Sequence, residues 1–465
     1  MDILKSPKFK ITLLKICLIV PFALLIILPL FLGAYAGYLY LSGIRIEGII
    51  LPAIVIGVGL ILIYSIRLMI FKIKKEAKIR RVWPIILVFL LIVSIAGIGV
   101  GIWEINFFYG ANHYNTGPIL TWGSDQNPST DITIMWRTTD PSVSSISYST
   151  DKKFSESSLT TLKENESVEW HQMAITGLNP DTKYYYRIND FEKTIYSFTT
   201  APSLESAFNF LIFADPRQNS GDLGCLIAPN VPKYMAEKAT SNDDFPEFTI
   251  VVGDITSEGT RHSTWKSWFD DISLQSGLAS YAPHMDVVGN HERHDDMEGD
   301  IFADFYPLER QSNEQFYYSF NYSYIHFTML DPWKVSNGEA GWEKVDDDQY
   351  NWAYQDLQKS MNRTFRIMCL HPPPLKRNAD NNFNILLPRV TKLADTFNVS
   401  MVFFGHSHKY DHNLINGTHY LLNGVGGNID AKTLGYSEIQ ATPENLTVMQ
   451  HWLNGSTHKL ATISN

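Results

Sequence analysis

The sequence predicts an α/β body that carries the chemistry, a β-sandwich in front of it and an N-terminal membrane head of three helices. Three observations lead there. Three apolar stretches, 16–42, 48–71 and 82–103, are each long enough to cross a bilayer, which takes about 20 residues of helix. Residues 117–200 alternate apolar and polar residues in short runs separated by turn residues. Past residue 204, apolar runs of strand length alternate with helix-like stretches, the pattern of an α/β core with largely buried strands.

The head comes first. Residues 1–104 carry 12 Lys/Arg against 4 Asp/Glu, whereas the whole chain of 465 residues has a formal charge of −10, leaving −18 on residues 105–465. A basic apolar head before an acidic polar body reads as a membrane anchor and an aqueous part. The loop KIKKEAKIRR, residues 72–81, is strongly basic and is expected on the cytoplasmic side. Lys5, Lys8, Lys10 and Lys15 place the N-terminus on that side as well. Three crossings then deliver residue 105 onward to the outside of the cell membrane. Sequons at Asn165, Asn321, Asn362, Asn398, Asn416, Asn445 and Asn454 all fall in that outer part, as expected of a glycoprotein exterior. The spans hold no Asp or Glu in their middles, so the head reads as an anchor rather than a transport path.

Residues 105–203 form the second unit. DITIMWRT (131–138), SSISYST (144–150), TKYYYRI (182–188) and TIYSFTT (194–200) read as short strands of a β-sandwich serving as a spacer. GLNPDTKYYYRI resembles the corner of fibronectin type III domains, with Leu178, Pro180 and Tyr184 at the matching places. Trp136 is then a core residue. The Tyr184–Tyr186 cluster reads as strand packing, alternate residues facing inward.

Residues 204–465 carry the chemistry. Candidate helices are 222–240, 262–277, 348–360 and 384–397. The apolar runs between them end in a consistent way. FNFLIFAD ends in Asp215, FTIVVGD in Asp254, and MDVVGN in Asn290, followed by His291 and Glu292. FRIMCLH ends in His371, and SMVFFGH in His406, with His408 two residues on. Sites in open α/β sheets gather at the carboxyl ends of strands. One aspartate after a strand is an ordinary turn residue or helix cap; five consecutive runs ending in metal-competent side chains are not ordinary.

The donor set is two carboxylates, an amide oxygen and three imidazoles, without thiolate. It suits divalent or trivalent first-row metals such as Mn, Fe or Zn. Six ligands exceed one tetrahedral site and suit two ions sharing a bridge, an arrangement that clamps both oxygens of a displacement at phosphorus. Gly405 is expected to free the backbone for the bend between His406 and His408. His412 reads as a surface histidine. Arg261, His262 and His294 either line the cleft or are solvated loop residues. Trp333 and Lys334 read as packing and surface. Three cysteines make no disulfide framework. Cys17 lies in the first span; Cys225 and Cys369 either pair or, as expected, stay as buried free thiols.

As a set, Asp215-x-Arg217, Gly253-Asp254, Gly289-Asn290-His291-Glu292, His371 and Gly405-His406-x-His408 resemble the motif series of calcineurin-like metallophosphoesterases over about residues 204–430. With a β-sandwich in front, the layout is similar to purple acid phosphatases. The resemblance implies a four-layer αββα sandwich and two metal ions. It implies that Asp254 bridges them, that Asp215 and His408 hold the first, and that Asn290, His371 and His406 hold the second. It implies that His291 is the general acid, with Glu292 orienting it. Two residues depart from the pattern. Arg217 stands where many members have histidine, and arginine cannot be a ligand because it stays protonated. Ser257 stands where purple acid phosphatases have a tyrosine ligand. Arg217 either contacts phosphate through its fork or pairs with an acid such as Asp222.

The expected function is a membrane-anchored, outward-facing, dinuclear phosphoesterase in which metal-activated hydroxide attacks phosphorus. The substrate is phosphorylated, a small molecule or a surface group; the ester type and the oligomeric state stay open. The acidic body argues against nucleic acid, which needs a Lys/Arg footprint. One rival is a degenerate member that binds or senses a ligand without turnover, for which Arg217 and Ser257 speak. Another is a membrane protein whose work lies in the spans.

Overall fold

The structure is a computed structural model. It describes residues 115–465 other than 156–158, 190, 192–193, 203, 205, 218–230, 233–234, 236–244, 294–298, 310, 312–314, 337–338, 342–344, 378–382 and 428–432. The three expected spans, Cys17, Asp222, Cys225, His294 and most of the expected helix 222–240 lie outside the described residues. Among the described residues no helix is long and apolar enough to cross a membrane.

Seven strands form the N-terminal sandwich: β1 (Thr116–Thr121), β2 (Ile132–Ser142), β3 (Ser145–Ser149), β4 (Thr160–Lys163), β5 (Val168–Ile175), β6 (Lys183–Ile188) and β7 (Tyr196–Thr199). They pair as a three-stranded sheet, β1-β2-β5, and a four-stranded sheet, β4-β3-β6-β7. Ile134, Trp136, Ile146, Tyr184, Tyr186 and Phe198 are buried in the core between them. Tyr185 is only half-buried, so the tyrosine run does alternate. At the corner before β6, the Asn179 N–H donates to the Tyr184 hydroxyl at 2.9 Å, fixing the turn.

The sandwich is not a separate spacer. Ile119 and Met135 point from the other face of its three-stranded sheet into a cluster with Trp265 and Phe269 of the following domain. That is why β2 is buried on both faces over Ile132–Arg137. Trp122 packs within 5.9 Å of the Phe248, Phe320 and Tyr322 rings. Tyr186 donates its hydroxyl proton to the Ser280 carbonyl at 2.8 Å, and the Trp170 indole donates to that of Phe305 at 3.1 Å.

The second domain begins with β8 (Phe208–Phe213) and β9 (Phe248–Val252). Helix α1 (His262–Phe269) runs into a π-helical turn, Asp270–Gln275, and then α2 (Leu278–Tyr281). Next come β10 (His284–Val287), α3 (Asp300–Phe305), β11 (Tyr318–Tyr322), β12 (Ile325–Leu330), and a small hairpin of β13 (Lys334–Ser336) and β14 (Glu339–Gly341). Helix α4 (Asp347–Lys359), β15 (Phe365–Leu370), a second hairpin of β16 (Leu375–Arg377) and β17 (Phe383–Ile385), α5 (Pro388–Thr396) and β18 (Met401–Phe404) follow. The chain ends with β19 (Tyr410–Ile415), β20 (Thr418–Asn423), β21 (Gly435–Ala441), β22 (Asn445–Trp452) and β23 (Thr457–Ser464).

Two six-stranded sheets result, ordered β10-β9-β8-β21-β22-β23 and β11-β12-β15-β18-β20-β19. Successive side chains of a strand face opposite ways, and the core clusters sort by that parity. Phe210, Ile212, Ile250 and Val252 of the first sheet meet Phe327, Ile367, Cys369, Met401 and Phe403 of the second. Their neighbours Leu211, Phe213 and Val251 face Trp265 and Phe269 of α1. On the far side, Met368, Leu370, Val402 and Phe404 face Ala353 and Leu357 of α4 and Val390 and Leu393 of α5. Helix, sheet, sheet and helix therefore stack in four layers. The apolar runs are continuous because β9, β12, β15 and β18 are buried on both faces.

Candidate metal centre

β8, β9 and β10 are mutually parallel, as are β12, β15, β18 and β20. Parallel pairing puts all their carboxyl ends on one edge. The Ala214 N–H donates to the Asn423 carbonyl at 3.0 Å, and this bond ties the edge of one sheet to that of the other. The six side chains expected as ligands converge there.

The backbone leaves the strands under strain. Asp215, Asp254, His406 and His408 have φ of 56°, 55°, 70° and 47°, in the left-handed region that L-residues rarely adopt. Such residues cost of order 1–3 kcal/mol each and persist where the surroundings over-determine them. Gly405 serves differently from the expectation. The positive φ falls on the histidines beside it; a Cβ at Gly405 would lie 2.5 Å from Asp215 Oδ2 and 2.6 Å from the Ala214 Cβ. Its bare Cα lets the two strand ends close on each other. Gly253 has φ 78°, and a Cβ there would strike the His371 ring.

Two groups of ligand atoms form, each within 4.8 Å: Asp254, His371 and His406, and Asp215, Asp254 and His408. Asp254 belongs to both, as a bridging carboxylate would. Asn290 joins the first of these groups, its Oδ1 accepting from His406 Nδ1 at 2.9 Å. Asp254 Oδ1 lies 3.1 Å from His371 Nε2 and accepts the His291 N–H at 3.1 Å. Its Oδ2 faces Arg217 Nε at 3.1 Å and His291 Nε2 at 3.9 Å. Asp215 is fully buried, and its Oδ1 has no hydrogen-bond partner among the described residues. A carboxylate oxygen buried this way is costly, and it lies 3.5 Å from His408 Nε2. A cation among these atoms would satisfy it, so the residues present fit metal ions.

The titration states follow from burial and these neighbours. Burial works against the charge on Asp254, but His371, His291 and Arg217 overcome it and hold the carboxyl well below its usual range. Burial also disfavours protonated His371, yet Asp254 and Asp215 push it up to about 9. Burial lowers His406 and His291. His371 Nδ1 donates to the Val252 carbonyl at 2.7 Å, which fixes its tautomer and turns Nε2 to the cluster. His291 Nδ1 donates to the Ser257 carbonyl at 2.7 Å, so its Nε2 faces the centre.

Glu292 acts through backbone groups. It is fully buried, and its carboxylate accepts the backbone N–H groups of Gly289 (2.6 Å), Asp254 (2.9 Å) and Thr256 (2.9 Å). It thus clamps the loop after β9 to the loop after β10. Burial and the Asp254 charge raise its pKa, and the N–H donors pull the other way. The sequence shows Glu292 in its motif but carries no signal for backbone partners.

The weaker candidates fall outside the cluster. Arg261 pairs with Glu258 at 2.7 Å. His262 sits edge-on to Phe305, with burial and Arg137 lowering its pKa. Trp333 is buried packing, and the Lys334 backbone lies in β13. His412 stacks on His419, with facing nitrogens 2.9 Å apart. Cys369 is a buried free thiol.

Comparison with known proteins agrees with this geometry. The family model for the N-terminal domain of purple acid phosphatases matches residues 116–200, and that for calcineurin-like phosphoesterases matches residues 208–410. Purple acid phosphatase 23 of Arabidopsis thaliana is 25% identical over 318 residues, 58% of this chain and 64% of that protein. An uncharacterized protein of Mycobacterium tuberculosis is 26% identical over 323 residues, 62% of this chain and 60% of the other. The chain spans about 60% of the length of the curated relatives it matches. Among solved structures, the purple acid phosphatase PPD1 of yellow lupin (Lupinus luteus) seeds has a TM-score of 0.58 at 16% identity, covering 76% of this chain and 74% of that one. PhoD has a TM-score of 0.54 at 12% identity, covering 76% and 92%. Both share the fold. The two matched domains, a purple acid phosphatase N-terminal domain followed by a calcineurin-like phosphoesterase domain, stand in the order of the purple acid phosphatase layout.

Proposed function

We propose that the chain is a membrane-anchored, outward-facing phosphoesterase that hydrolyses phosphate esters, with metal ions held by two ligand groups sharing Asp254. The observation that carries this reading is the convergence of Asp215, Asp254, Asn290, His371, His406 and His408 on one sheet edge around a buried, unsatisfied carboxylate oxygen. Bound metal ions supply charge neutralisation at the phosphoryl oxygens and an activated water nucleophile.

The chain's own residues do the rest. Glu292 holds the loops that present Asp254 and His291. His291, with its Nδ1–H fixed on the Ser257 carbonyl, turns Nε2 to the cluster side; in its imidazolium form that nitrogen would give a proton to a leaving-group oxygen. The Arg217 fork matches phosphate oxygens. Anchoring rests on the sequence of residues 1–104. The outward orientation is supported further by the sequon asparagines: Asn165, Asn321, Asn362, Asn398, Asn416 and Asn454 are exposed, and Asn445 is partly so.

A second reading, a binding or sensor protein without turnover, is favoured by Arg217 and Ser257. The test is hydrolysis by the full chain of a nitrophenyl monoester and a bis(nitrophenyl) diester, with Mn, Fe or Zn added and then removed by chelation. Metal-dependent release of nitrophenolate is expected. No metal-dependent turnover on either ester overturns the enzyme and leaves the binding protein.

A further inference from the structure

The two ligand groups are not equivalent. In the group of Asp215, Asp254 and His408, a permanent cation already sits among the donors. Arg217 Nε is 3.1 Å from Asp254 Oδ2, and its Nη2 is 3.4 Å from His408 Nε2. These are two of the three donor residues that a metal in that group would need. The side chain is only 11% exposed, and the Arg217 N–H donates to the Asp254 carbonyl at 3.1 Å, which pins the residue beside that carboxylate. A guanidinium stays charged at any working pH and cannot ligate. A metal ion at the same oxygen would stand within a few ångströms of it, where two cations repel.

Asp254 Oδ1 lies toward the other group. Its neighbours there are His371 Nε2 and the His291 N–H. An imidazole yields its proton and becomes a ligand, which a guanidinium does not.

We propose that Arg217 is a built-in cation that weakens metal binding in the Asp215–Asp254–His408 group. The chain then holds one ion firmly, between Asp254, Asn290, His371 and His406, and a second only weakly. This rests on reading the cluster as a phosphoesterase metal centre. Arg217 neutralises Asp254 in the absence of substrate and offers its fork to the phosphoryl group when substrate arrives.

The test is calorimetric titration of the full, metal-depleted chain with Mn(II), paired with metal analysis after desalting. Wild type is expected to retain about one ion per chain, with any second site at least about tenfold weaker, a difference of about 1.4 kcal/mol. Arg217→Met removes the charge at similar bulk and is expected to bring the two affinities together; Arg217→Lys keeps the charge and is expected to preserve the imbalance. Two equal sites in wild type, or an unchanged imbalance in Arg217→Met, overturn the proposal. Should the variants fail to fold, the wild-type titration decides alone. One firm ion without ester hydrolysis sinks the phosphoesterase reading but keeps this inference; hydrolysis with two equal ions does the reverse.

Discussion

His291 and His406 are both histidines at strand ends, yet their partners give them different work. His291 is held by a carbonyl and keeps one nitrogen toward the centre; His406 shares its position with Asn290. His291→Ala is expected to lose about 10²–10⁴-fold in rate on an ester with a poor leaving group, because general acid catalysis contributes that much. A nitrophenyl ester, which needs no proton, should lose little. His406→Ala is expected to lose metal and activity together on both esters. Equal activity of His291→Ala and wild type on the poor leaving group rules out the acid role. Glu292 gives a prediction of another kind. Glu292→Ala leaves three buried N–H groups without their acceptor, each at about 1–3 kcal/mol. A large fall in the urea midpoint should accompany loss of metal. An unchanged midpoint would show that the loops close without it.

At the scale of elements, the parallel strands are the framework and the late antiparallel strands extend it. β21 inserts beside β8, and β22 and β23 continue the sheet outward. Glu438 of β21 and His451 of β22 face each other at 2.8 Å across that extension. The hydrogen bond from His451 lowers the Glu438 pKa from the ordinary 4.5, against burial. A folded pKa below the unfolded one stabilises the fold above the unfolded value, and that contribution is lost as pH falls through the folded value. Glu438→Gln should therefore be less stable than wild type at pH 6, with the gap shrinking as pH falls below the ordinary glutamate range. A gap that persists in acid would assign the effect to packing instead.

At the scale of the whole described molecule, the sandwich and the two-sheet domain share buried surface. Trp122, 1% exposed, lies in the same core as Phe248 and Phe320. Trp122→Ala should cost about 3–5 kcal/mol, as buried aromatic deletions do. It should lower the thermal midpoint of both domains, which are expected to unfold in one transition. Two separate transitions in wild type, with only one moved by the substitution, would restore the picture of an independent spacer. The same scale holds the topology. With the loop 72–81 inside, protease added to intact cells should degrade residues 105–465 and spare that loop. Protection of the body would reverse the orientation.

The sequence by itself determined the strands and the metal-competent residues at their ends. Strands buried on both faces must read as apolar runs, and a metal needs polar donors where those runs stop, so both are written locally as residue type and order. Asp215, Asp254, Asn290, His371, His406 and His408 were legible for that reason. The tertiary structure alone decided what depends on distant residues. The three-strand sheet covers the helices of the next domain, so β2 is buried on both faces. Glu292 finds its partners in backbone groups, which carry no sequence signature. Gly405 matters through Asp215 and Ala214, nearly two hundred residues away in the chain. Arg217 reads in the sequence only as a missing ligand; its place between Asp254 and His408 follows from three loops meeting at one edge, a relation that no local pattern encodes.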